Sequence, residues 1–169
     1  FLESYKYSYF YNKKQYDLAL GVLMKIKDDT STYSSSSFWW TRNYLLTLYE
    51  LENFSELTSV TKELINENKL DPDVLEYKLN SDFITKNTDF VLDIYNGYFN
   101  SYYLSEEYEK AIIVSSKMIK VGKTITEASL ILRLGYQYRS DSKLLKEDYL
   151  GALQDINEYI KMREEWSSG

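Results

Sequence analysis

The chain contains no cysteine and no histidine. Without cysteine there is no disulfide and no thiolate nucleophile, and the redox compartment is left unread. Without histidine the commonest general base and the commonest zinc ligand are missing together. Proline occurs once and glycine six times in 169 residues, which favours long helices over a turn-rich β architecture. No uninterrupted apolar stretch approaches the roughly 18 residues needed to span a bilayer, so no membrane insertion is expected. Basic residues are outnumbered by acids, 20 to 26, for a formal charge of −6. That balance argues against a nucleic-acid backbone as the main partner, because phosphate binding needs a basic surface.

What is present is apolar and aromatic. A hydrophobic fraction of 44% supports a continuous core. The 18 tyrosines supply large apolar bodies with polar tips, suited to helix seams and to binding surfaces. Four times an aromatic residue is followed three positions later by a small or aliphatic one, just after a polar turn. The copies are Tyr16 with Ala19, Phe54 with Leu57, Tyr108 with Ala111 and Tyr149 with Ala152. Each opens a helical pattern and follows another, so one helix-turn-helix unit recurs. These aromatic and small residues are expected at helix seams.

The spacing predicts an all-α chain of four helical hairpins, at about 1–28, 37–68, 89–121 and 124–166, within one domain spanning 1–166. The low-complexity stretch 29–37 reads as a loop, with Ser36 or Ser37 capping the next helix. Anchor spacings of 38, 54 and 41 residues leave room in the middle for an extra short helix. Asp71-Pro72 predicts its start, Asp as N-cap and Pro at the first helical position, giving a helix over 72–80 and a loop over 81–88. Gly122 is expected to close the helix before it as a C-cap. The chain opens on Phe1 inside a periodic segment, without an initiator Met, which is expected of a region of a longer protein.

Catalytic chemistry finds little support. Glu106/Glu107, Glu164/Glu165 and Asp28/Asp29 are adjacent in sequence and so do not share a helix face. Asp71-Pro72-Asp73 lacks the glycine and distal glutamate of a calcium loop. Gly135 and Gly151 are isolated, so no phosphate-cradling loop forms. No nucleophile-and-base set can be assembled. The expectation is a non-enzymatic chain with no cofactor and no metal.

At this point the residues resemble the tetratricopeptide repeat family. The closest copy runs Tyr136-Gln137-Tyr138-Arg139-Ser140, then Lys143-Leu144-Leu145-Lys146-Glu147-Asp148-Tyr149, then Gly151-Ala152-Leu153-Gln154-Asp155-Ile156. Glu106-Glu107-Tyr108-Glu109-Lys110-Ala111-Ile112 and Lys14-Gln15-Tyr16-Asp17-Leu18-Ala19-Leu20 follow the same pattern. The second copy departs from it with Leu57 where the family has Ala. The eighth family position, usually Gly or Ala, is here Tyr7, Leu45, Phe99 and Ser140, so irregular packing is expected.

The resemblance implies an α-solenoid, a right-handed superhelix whose first helices line a concave groove. Its groove positions fall on Ser4, Ser8, Tyr11 and Asn12, on Arg42, Leu46 and Tyr49, on Asn96, Asn100 and Tyr103, and on Gln137 and Asp141. Asn side chains both donate to and accept from an extended peptide backbone, and Tyr supplies flat contact area. Only Arg42 stands where some family members clamp a terminal carboxylate. The Asn-rich groove is similar to the peptide-sensing repeat domains of some bacterial regulators. The function implied is a module binding a protein segment or peptide; the alternative is a peptide-sensing domain that controls an attached effector.

Overall fold

The computed structural model describes residues 2–28, 36–75, 78–125 and 129–167, which form nine helices and no strand. In chain order these are α1 (Leu2–Asn12), α2 (Tyr16–Asp28), α3 (Ser36–Glu50), α4 (Phe54–Glu67), α5 (Ser81–Lys86), α6 (Thr88–Tyr103), α7 (Tyr108–Thr124), α8 (Ser129–Leu145) and α9 (Tyr149–Ser167). Ser36 and Ser37 are the first two residues of α3; their side chains, on which the expected cap rests, and most of the loop before them lie outside the described residues.

Each long helix packs on its neighbour in the chain, with α7 against α8 the most extensive contact and α8 against α9 the next. α6 also reaches past its neighbours to α3 and α4. One core runs from Tyr7 and Leu23 through Leu48, Leu57, Ile94 and Tyr95 to Met118 and Ile131, all buried. The small or aliphatic members of the repeated pairs, Ala19, Leu57, Ala111 and Ala152, are buried as the spacing predicts. So are Tyr7, Leu45, Phe99 and Ser140. In the last hairpin the seam is closed by the Ser140 hydroxyl, which donates to the Ala152 carbonyl at 3.1 Å.

The short turns between paired helices share one geometry. Lys14, Glu52, Glu106 and Glu147 all take positive φ, between 56° and 62°, each two residues before the next helix begins. Around Lys14, the Gln15 N–H donates to the Phe10 carbonyl and the Lys14 N–H to the Tyr11 carbonyl, both at 2.9 Å. This pair of bonds satisfies carbonyls that a helix end otherwise leaves without donors. It recurs as Asn53 to Leu48 with Glu52 to Tyr49, as Glu107 to Tyr102 with Glu106 to Tyr103, and as Asp148 to Lys143 with Glu147 to Leu144. A charged residue thus stands where glycine is the usual choice, and a left-handed conformation costs an L-residue about 1 kcal/mol or more. Glu147→Gly should therefore raise stability by about 1 kcal/mol, read as a higher urea midpoint. An unchanged or lower midpoint would exclude left-handed strain at this turn.

Four expectations need correction. No helix occupies the described residues of 72–80; the short helix is α5, at 81–86, in the predicted loop. Asn80 caps it, its side chain accepting from the Phe83 N–H at 3.2 Å. Asp71 does not cap a helix. It accepts the Asp73 N–H two residues on, at 3.0 Å, and pairs with Lys117 of α7, so its carboxylate is engaged in a turn and a tertiary contact.

Gly122 is no C-cap either: it lies buried within α7, whose cap is Ile125. Tyr149, expected at a seam, is 65% exposed, and Tyr108 is only half-buried. Tyr16 and Tyr108 each meet a ring five residues earlier, Tyr11 at 5.3 Å and Tyr103 at 5.7 Å. For Tyr149 that place is Leu144, itself half exposed, and no ring among the described residues covers it.

Candidate cleft between three helices

A cleft of about 200 Å³ opens where α3, α6 and α8 meet. From α3 it is lined by Arg42, Leu45, Leu46 and Tyr49, from α6 by Asp93, Asn96, Gly97 and Asn100, and from α8 by Tyr138. On both α3 and α6 the lining residues fall at i, i+3, i+4 and i+7, which is one helix face. Gly97 lets α6 sit close to α4: a methyl group there would meet Thr61 and Leu57 at 3.2 and 3.3 Å.

The polar groups are arranged in two sets. Arg42 Nε contacts Asp93 Oδ2 at 3.2 Å, tying α3 to α6. Burial raises the pKa of Asp93, Arg42 acts against that, and Asp89 adds to it. On the other side the Tyr138 hydroxyl donates to Asn96 Oδ1 at 3.0 Å. The Tyr138 ring lies flat on Phe99, centroids 4.3 Å apart, and Phe99 stacks in turn on Tyr103. The Asn100 side chain is half-buried and makes no hydrogen bond among the described residues.

Of the residues predicted to line a groove, Arg42, Leu46, Tyr49, Asn96 and Asn100 are brought together here. Tyr103 stands beside the cleft within the aromatic stack and does not line it. Gln137 is half-buried outside the lining; its neighbour Tyr138 takes that place, one residue out of the expected phase. Asp141, one turn beyond Tyr138, is half-buried, and burial raises its pKa. The α1 residues are elsewhere. Ser8 is exposed and donates to the Ser4 carbonyl, and Asn12 is exposed at the helix end. Tyr11 lies between Tyr7 and Tyr16, its pKa pushed up to about 12 by burial and then by Glu50.

Asp93 and Tyr138 are the residues that sequence reasoning missed. Asp93 lies three residues before Asn96, so helical spacing alone could have placed it on the same face. Nothing local distinguishes Tyr138 from the other 17 tyrosines. A second, more polar cleft of about 310 Å³ lies between α4 and the α6–α7 turn. Its lysines are occupied: Lys62 and Lys110 both lie over the Tyr102 ring, and Lys110 also pairs with Glu107.

Among the described residues no group of three or more Asp or Glu side chains is gathered as a metal site requires. No described helix is long and apolar enough to cross a membrane. No family model matches the chain, and no curated protein or solved structure matches it either.

Proposed function

We propose that the hairpins stack as a tetratricopeptide-like solenoid and that the chain is a non-catalytic module binding an extended segment of a partner protein. The segment would lie in the cleft between α3, α6 and α8. The observation that carries this reading is the convergence of Arg42, Tyr49, Asn96 and Asn100 on one cleft. Their types suit an extended backbone: amides that both donate and accept, beside a flat ring. Asn96 already accepts from Tyr138, so Asn100 is the group with both donor and acceptor to offer. A composition without cysteine or histidine supports binding over catalysis.

The test uses peptides selected from a random display library on the purified chain. Asn100→Ala should leave the fold intact and weaken a cleft-binding peptide by about fivefold or more, since a buried peptide group loses its partner. Asn96→Ala is less clean, because it also removes the Tyr138 hydrogen bond. Selected peptides that bind the folded Asn100→Ala variant as tightly as the parent, and leave the tyrosines of the cleft unperturbed, would count against the cleft.

A further inference from the structure

The charges around the cleft are out of balance. Among the described residues Arg42 is the one cation in its lining, and it is bound to Asp93. Asp141 lies outside the lining, one turn after Tyr138 on α8 and so on the same helix face, half-buried and with no hydrogen bond or ion pair among the described residues. The cations nearest to it along α8 are all engaged elsewhere. Arg139 and Lys143 reach Asp155 of α9 at 2.6 and 2.8 Å, and Lys146 pairs with Glu109 of α7. The groups that do feel its charge are hydroxyls: burial first, and then the charge of Asp141, raise the pKa of both Tyr103 and Tyr138. One turn before Asp93, Asp89 adds its negative charge to that carboxylate. A carboxylate half withdrawn from water with nothing to neutralise it is unfavourable, and the fold nonetheless keeps it.

We propose that the cleft takes a segment bearing a lysine or arginine side chain, whose cation seats on Asp141 beside Tyr103 and Tyr138. The inference rests on the groove reading above and names the chemistry of the occupant. The flat rings accept the aliphatic stem, and the carboxylate supplies a charge-assisted hydrogen bond. The Arg42–Asp93 pair closes the other end, where a second cation on the segment would meet repulsion from Arg42. The arrangement also sets function against stability. A carboxyl group whose pKa is raised on folding favours the fold most at low pH, and that contribution is lost as pH rises through the folded value. Asp141→Asn should therefore raise the melting temperature at neutral pH while weakening the cationic segment.

The experiment titrates the purified chain with two capped peptides, one alternating Ala and Lys and one alternating Ala and Glu. Side-chain amide resonances of Asn96 and Asn100 report on the cleft itself. The Lys peptide should shift them, and the Glu peptide should bind at least about tenfold more weakly. Asp141→Asn should remove most of that difference and Glu158→Gln, which deletes one exposed carboxylate on α9, should not. Equal binding of both peptides, still sensitive to Asn100→Ala, would overturn the cation preference and leave the groove standing. Lys-peptide binding insensitive to both Asp141→Asn and Asn100→Ala would overturn both readings, as would shifts confined to other surfaces. Failure of the Lys peptide to move the two amides would overturn the proposal as well.

Discussion

Gly122→Ala should cost the fold about 2 kcal/mol net, although alanine is the better helix former. A methyl group at Gly122 would stand 2.3 Å from Leu132 Cβ, 2.6 Å from its Cα and 2.7 Å from its backbone nitrogen. Two of those atoms are main chain, so no rotamer change relieves the clash. Helix α8 would have to move away from α7, and that is the most extensive helix contact in the molecule. The same pair approaches closely at Gly135, where a methyl group would meet Ile119 Cγ1 at 2.9 Å and its nitrogen at 3.0 Å. Overpacking of this kind ordinarily costs about 1–3 kcal/mol, and the backbone partners place Gly122 at the upper end. Against it stands a gain of about 1 kcal/mol in helix propensity.

Gly21 provides the control. It is exposed in α2, where a methyl group would find nothing within 4 Å, so Gly21→Ala should stabilise by about 1 kcal/mol. The measurement is the urea unfolding midpoint of both variants. Opposite signs are expected from one chemical change. If Gly122→Ala unfolded at the parental midpoint, the close crossing of α7 over α8 would be wrong.

Gly122 also shows the limit of a local signal. A glycine near the end of a helical pattern looks the same whether it closes the helix or admits a crossing helix. Only Leu132, ten residues on, separates the two cases. Asp71-Pro72 failed for a similar reason. Its local signal is a helix start, but the Asp73 N–H and Lys117 compete for the carboxylate, and Lys117 is far away in sequence. Helix α5 has six residues, too few for a period to register, and it is held by contacts such as Phe83 with Phe90 and Phe38.

What was legible was local and repeated. The polar turns, the buried Ala19, Leu57, Ala111 and Ala152, and the i to i+4 pair Asn96 and Asn100 all follow from helical spacing. The third wall of the cleft was not legible. Whether Gln137 or Tyr138 faces α6 depends on the rotation of α8, which its packing on α7 and α9 sets.

That packing leads to the second large effect, at Asp155. Its carboxylate is almost fully buried among three helices. Arg139 of α8 grips it with two N–H groups, Nε at 2.8 Å and Nη2 at 2.6 Å, and Lys143 adds a third contact at 2.8 Å. Arg139 Nη1 also donates to Ser116 of α7 at 3.3 Å, so one guanidinium joins α7, α8 and α9. Burial alone would raise the pKa of Asp155, but the hydrogen bonds and charges of Arg139 and Lys143 outweigh it and hold the group below the ordinary carboxylate value.

Asp155→Ala should cost about 3 kcal/mol at neutral pH, because it strands two cations at a helix seam. The lower end of the usual range applies, since Arg139 and Lys143 keep 23% and 18% of their side-chain surface in water. The pH dependence follows from the lowered pKa. Stability from Asp155 is fully present above the unfolded carboxyl value of about 3.9 and is lost as pH falls through the lower folded value. Urea midpoints of parent and Asp155→Asn should therefore differ most at neutral pH and converge in acid. Asp141, with its raised pKa, acts in the opposite direction, so Asp141→Asn should lose its stabilising effect over the same descent. Curves for Asp155→Asn that run parallel to the parent through the acid range would show that the carboxylate's charge contributes nothing to folding.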